Sequence, residues 1–137
     1  MNKLFTFILT SILLTGCTSN LLKQPVTITN DNYQTLCTPL VLHKQQKLII
    51  TLPSSNMTGY KWQLEKNGAP LLLLQKNKIQ QDETPESNLH HQETLWKFKA
   101  IQVGKTTLSF IYLLEWDVNI ANAQRVQCEI EVIDSYL

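Results

Sequence analysis

For most of its length the chain alternates apolar and polar residues with a period of two. In residues 47–52, Leu48, Ile50 and Leu52 fall on one side. In residues 60–65, Tyr60, Trp62 and Leu64 alternate with Lys61, Gln63 and Glu65. Trp96, Phe98 and Ala100 alternate with Lys97 and Lys99. Leu108, Phe110 and Tyr112 alternate with Thr107, Ser109 and Ile111. Val126, Cys128, Ile130 and Val132 alternate with Gln127, Glu129 and Glu131. Successive side chains of an extended strand point to opposite faces, so each stretch predicts a strand with one face on a core. By the same rule Tyr60 and Trp62 are expected inside rather than at a contact surface. Residues 26–29 and 40–42 are weaker strand candidates. The four leucines at 71–74 fit a buried strand or a helical turn equally, because so short an apolar run has no decisive period.

Breakers separate these stretches. Residues 53–59 are rich in Ser and Asn and contain Pro53 and Gly59. Asn67-Gly68-Ala69-Pro70 reads as a turn, and residues 81–92 form a long polar segment with Pro85. Val103-Gly104-Lys105 is a tight connection, and residues 115–124 form another loop. Amphipathic helical patterns, which a parallel α/β sheet needs between its strands, are missing. The expected fold is therefore all-β: an antiparallel β-sandwich of about seven to eight strands.

The N-terminus follows different rules. Lys3 precedes an uncharged apolar run at 4–14, the length of a signal-peptide core and too short to span a bilayer. The run ends in Leu14-Thr15-Gly16-Cys17. This resembles the bacterial lipobox, which implies removal of residues 1–16 and acylation of Cys17, with a lipid bilayer as a partner. An ordinary signal peptide with a nearby cysteine is the plainer alternative. Residues 17–24 would be the lipidated tether and residues 25–137 the domain. Thr18, in place of Asp, points by resemblance to the outer membrane of the cell envelope. The length of 137 residues suits one domain with a real core. Lys plus Arg number 12 against 11 Asp plus Glu, which excludes the strongly basic footprint of a nucleic-acid binder. A monomer is expected.

Removal of the signal leaves Cys37 and Cys128 beyond the acylated position. In an oxidising compartment two thiols in one small domain tend to pair. The alternative is two buried free thiols acting as small hydrophobes.

Catalytic chemistry has little support. His43 lies near the end of a strand candidate and reads as an exposed turn residue. His90 and His91 are adjacent, so on an extended chain they point to opposite sides and form no metal clip. No metal, cofactor or enzyme activity is expected. Gly-x-Ser-x-Gly and phosphate-cradling glycine motifs are missing from a chain with four glycines.

One segment is informative: Leu52-Pro53-Ser54-Ser55-Asn56-Met57-Thr58-Gly59-Tyr60-Lys61-Trp62. It resembles the signature of the chagasin-type inhibitors of papain-like cysteine peptidases, in which a strand ends in Asn-Pro-Thr-Thr-Gly-aromatic-x-Trp. The resemblance continues through residues 100–112, with Gly104 as pivot, and through Trp116 in the run Tyr112-Leu113-Leu114-Glu115-Trp116-Asp117. It ends with the strand at 125–133. It implies an immunoglobulin-like sandwich whose three end loops wedge without covalent chemistry into the cleft of a papain-like cysteine peptidase. The first loop would be Ser55, Asn56, Met57, Thr58 and Gly59. The middle loop would be Leu89, His90, His91 and Gln92, and the third Leu114, Glu115 and Trp116. In such sandwiches the first and last strands often run side by side, which would bring Cys37 toward Cys128.

This chain also departs from the family pattern. Leu89, His90, His91 and Gln92 stand where the family has a glycine motif, and bulky side chains obstruct close backbone approach. Asn56 replaces a proline, which raises the ordering cost of the loop. Leu114 and Glu115 replace Arg-Pro, so Glu115 with Asp117 reverses the local charge. An alternative function follows: an inhibitor-like sandwich that binds another envelope or host protein.

Overall fold

A computed structural model describes residues 24–55, 58–81, 92–117 and 120–134. The chain runs β1 (Val26–Thr29), α1 (Tyr33–Leu36), β2 (Leu40–His43), β3 (Lys47–Ser54) and β4 (Tyr60–Asn67). It continues through β5 (Leu72–Gln81), β6 (Gln92–Ala100), β7 (Gly104–Leu114) and β8 (Gln124–Ile133). Two four-stranded sheets result. Sheet 1 has the order β1-β3-β6-β5 and sheet 2 the order β2-β8-β7-β4. The architecture is the all-β, immunoglobulin-like sandwich.

Six strands pair antiparallel, while β1 joins β3 and β2 joins β8 in parallel at the sheet edges. The early strand beside β8 is therefore β2, not the first strand. Cys37, three residues before β2, is joined to Cys128 in β8 by a disulfide closing a separation of 91 residues.

The core lies where the period-two pattern puts it. Leu48, Ile50, Leu52, Trp96, Phe98 and Ala100 line one inner face. Leu108, Phe110, Val126, Cys128, Ile130 and Val132 line the other. Trp96 and Phe110 meet across the interface with ring centroids 4.6 Å apart, a tilted contact that joins the two sheets directly.

The structure differs from the sequence reading in a few places. Of the leucines at 71–74, Leu72 opens β5, which continues through Gln75, Lys76, Asn77 and Lys78 to Gln81. This is an edge strand exposed along most of its length, so no alternation marks it, and a register shift between Leu74 and Lys76 breaks its period. Pro53 lies inside β3, beyond the stretch paired with β1, where a missing N–H is tolerated. Tyr60 is 36% exposed rather than core, because it is the first residue of β4, opposite Leu114 at the very end of the sheet. Gln92 opens β6 opposite Ser54 and Gln81, so it belongs to a strand and not to a loop. His43 closes β2 and is half-buried rather than exposed. Its Nδ1 is buried without a hydrogen-bond partner.

Candidate functional site

The registers define one end of the sandwich. In sheet 1, Ser54 at the end of β3 stands opposite Gln92 at the start of β6, and Gln92 stands opposite Gln81 at the end of β5. In sheet 2, Tyr60 at the start of β4 stands opposite Leu114 at the end of β7, and Tyr112 stands opposite Gln124 at the start of β8. The β3–β4 connection crosses between the sheets at this same end. So the β3–β4, β5–β6 and β7–β8 connections all leave from one tip.

Two of these connections touch. Gly59 has φ +74, the left-handed region that favours glycine. A Cβ placed there would lie 3.3 Å from Leu114 Cδ2 and 3.5 Å from Trp116 Cη2. The backbone of the first connection is therefore packed against the side chains of the third. Trp116 spends only part of its surface on this contact, for it is 74% exposed. Ser55 and Thr58 flank the same turn; Thr58 is exposed, and its Oγ1 accepts a long hydrogen bond of 3.5 Å from Tyr60 N. Glu115 and Asp117 are also exposed, and Asp117 N donates to Leu114 O at 3.1 Å, closing the turn that carries Trp116.

Beneath the tip the scaffold is tied across the sheets. The Trp62 indole Nε1–H donates to Pro53 O at 2.8 Å, joining the start of β4 to the end of β3. Tyr112 lies between Trp62 and Tyr60, with centroid distances of 4.9 Å and 5.4 Å. These rings fill the space under the first and third connections. Trp62 is buried, as its strand pattern predicts.

Of the residues assigned to loops from sequence, Ser55, Thr58, Gly59, Leu114, Glu115 and Trp116 come together at the tip. Gln92 lies beneath them in β6. Asn56, Met57, Leu89, His90 and His91 lie outside the described residues, as does Cys17. Sequence reasoning missed Arg125. Its Nη2 donates to Ile120 O at 3.0 Å, and its Nε lies 3.3 Å from Glu65 Oε1. Arg125 thus fastens the β7–β8 connection to β4. It also missed Ile120, which is 50% exposed on that connection. Ile120 is one of several apolar residues in the 115–124 loop, so the sequence alone did not single it out. Nothing local marks Arg125, whose acceptors come from β4 and from the loop before it.

Both Cys37 and Cys128 are in the disulfide, and His43 lies at the far end of β2. Among the described residues no group of three His, Cys, Asp or Glu side chains is placed to hold a metal ion. Among its described residues the tip offers backbone, the small side chains of Ser55 and Thr58, the acids Glu115 and Asp117, and the exposed apolar surfaces of Ile120 and Trp116.

The family model for the chagasin family peptidase inhibitors I42 matches residues 41–130. No curated protein matches the chain in sequence. In fold the chain is similar to the cysteine protease inhibitor EhICP2 from Entamoeba histolytica. That likeness has 16% identity, a TM-score of 0.69, and coverage of 80% of this chain and 96% of that one. It is also similar to the solution structure of amebosin, with 21% identity, a TM-score of 0.59, and coverage of 80% and 99%. The likenesses establish the sandwich, and the family match reaches from β2 into β8, through both tip connections that touch. The chain belongs to the chagasin family of peptidase inhibitors, and so to a class of inhibitors rather than enzymes.

Proposed function

We propose that this protein inhibits papain-like cysteine peptidases without covalent chemistry, by seating its tip in the active-site cleft. The observation that carries the reading is the packing of Gly59 against Leu114 and Trp116, which makes one surface from two separate connections. Family membership supports inhibition, and the fold likeness to EhICP2, a cysteine protease inhibitor, supports the class of target. A preformed surface loses little conformational entropy on binding, so the tip can bind tightly through few residues. Thr58 and Gly59 are narrow enough for a cleft over a catalytic thiol. Trp116 is the exposed aromatic of a kind that dominates protein interfaces.

Localisation is part of the same proposal. The lipobox-like run ending in Cys17 supports acylation and anchoring at the cell envelope, at the outer membrane by the identity of Thr18. Val26 pairs with Leu48 and Thr29 with Thr51, so β1 runs from the far end toward the tip. The chain therefore joins the sandwich opposite the peptidase-facing end, and an anchor at Cys17 leaves that end open.

A second reading, binding to a different envelope or host protein, is favoured by one observation: Glu115 and Asp117 put two acids beside Trp116. Titration of papain with the protein separates the two. Stoichiometric inhibition with slow release is the expected result. Full papain activity at micromolar protein would reject the inhibitor reading and leave the second.

A further inference from the structure

The two outer faces of the sandwich differ in charge. On sheet 1, residues that alternate with the buried Leu48, Ile50, Trp96 and Phe98 point outward. They include Lys47, Lys97 and Lys99. Lys76 and Lys78 share this face through the β5–β6 register. Lys47 stands directly opposite Lys99, and Lys76 directly opposite Lys97. Like charges facing each other across a ladder destabilise it. Glu93, near the tip, is the acid on this face among the described residues, and none of the five lysines is ion-paired there. Sheet 2 is different. Lys105 stands opposite Glu131, Arg125 pairs with Glu65, and Glu129 accepts from Thr107 and Gln127.

Among the described residues, sheet 1 therefore carries a cationic face whose lysines outnumber its acids, on a protein whose formal net charge is only +1. The chain joins this same sheet. Gln46 Nε2 donates to Gln24 O at 2.8 Å, and β1 lies beside β3, the strand that carries Lys47. From Cys17 to Gln24 the chain can reach at most about 25 Å. An anchor at Cys17 would hold sheet 1 close to a lipid surface.

We infer that the outer face of sheet 1 is a docking surface for the anionic headgroups of a phospholipid membrane. The surface potential of such a membrane attracts each nearby lysine, by about fivefold in affinity, and the effect fades within a Debye length. Two signals, a lipid anchor and a basic face, would hold the domain flat. Sheet 2 then faces away from the membrane, and the tip remains open at the side. The inference rests on the envelope reading above for its choice of a membrane as the occupant.

The test uses the unacylated chain from Thr18 to Leu137, which contains both sheets, the core and the disulfide. Its binding to phosphatidylcholine vesicles is compared with binding to vesicles that also contain phosphatidylglycerol, at low and high salt. Binding only to the anionic vesicles, lost at high salt, is expected. The triple variant Lys47→Gln, Lys97→Gln, Lys99→Gln should bind them about a hundredfold more weakly. It should melt no earlier than the parent, since like-charge pairs are removed. The double variant Lys61→Gln, Lys105→Gln on sheet 2 should bind as the parent does. Three results would overturn the inference: equal binding to both vesicles, equal loss in the sheet 2 control, or binding to heparin with none to vesicles. Because no acyl group is present and papain is not involved, failure here is distinct from failure of the anchor or of inhibition.

Discussion

The two ends of the sandwich are closed by different means. At the end where β1 begins, short turns are sewn together by backbone bonds. Gln45 N donates to Ala100 O, Ala100 N to Gln46 O, Ile101 N to Leu71 O, and Lys44 N to Ile133 O. Gln46 adds both halves of its buried amide, accepting from His43 N and donating to Gln24 O. At the tip the connections are longer, and side chains hold them: Trp62 to Pro53, Arg125 to Ile120, and Leu114 and Trp116 against Gly59. One end spends its polar groups on the fold. The other leaves side-chain surface uncovered, most of all the indole of Trp116. A substitution at the tip should therefore change binding more than stability, and one in the scaffold the reverse.

The largest expected effect tests the scaffold side of that contrast. Replacing Cys37 and Cys128 together by Ala opens a loop of 91 residues and should cost about 3–5 kcal/mol of stability. Urea unfolding would measure it. The bridge is remote from Gly59 and Trp116, so inhibition by the folded fraction, measured well below the midpoint, should stay within about twofold of the parent. A large loss of inhibition with little loss of stability would break the division between the ends.

Trp116→Ala tests the other side. Truncating a central interface aromatic costs about 2 kcal/mol or more, so inhibition of papain should weaken by at least about thirtyfold. With 74% of Trp116 exposed, the unfolding midpoint should hardly move. An unchanged inhibition constant would remove Trp116 from the contact surface.

Gly59→Ala ranks next. Alanine at φ +74 is strained by about 1–2 kcal/mol, and its Cβ would press Leu114 at 3.3 Å. Because the strain acts where the two connections meet, both the midpoint and the inhibition constant should worsen. A loss in the midpoint alone would mean that the turn holds its shape without bearing on the partner.

How far the sequence disclosed this molecule also divides along that contrast. The core strands were legible because burial on one face forces alternation, as Leu48, Ile50 and Leu52 or Val126, Cys128, Ile130 and Val132 show. Exposed β5 was not, because neither face of Lys76, Asn77 and Lys78 is selected for apolar character. At the tip, Thr58, Gly59 and Trp116 were legible by family resemblance, and their mutual placement follows from strand pairing. Tyr60 was assigned to the core because alternation takes no account of where the opposite sheet ends. The parallel pairing of β1 and β2 left no local trace, since a four-residue strand reads the same in either direction.

The smallest expected effect concerns Arg125, which belongs to both regions. Its position in β8 makes it part of the scaffold, while its guanidinium reaches the backbone of the connection that carries Trp116. Arg125→Met keeps the apolar stem and removes both the bond to Ile120 O and the ion pair with Glu65. The pair is about one-third exposed, so the stability change should be below about 1 kcal/mol. Inhibition should weaken about threefold, because the third connection loses one tether before it binds. The difference between parent and variant should shrink as salt is raised, since water and ions already compete for the exposed guanidinium. Identical inhibition by the two at low salt would show that Leu114, Asp117 and the Gly59 contact hold the indole without it.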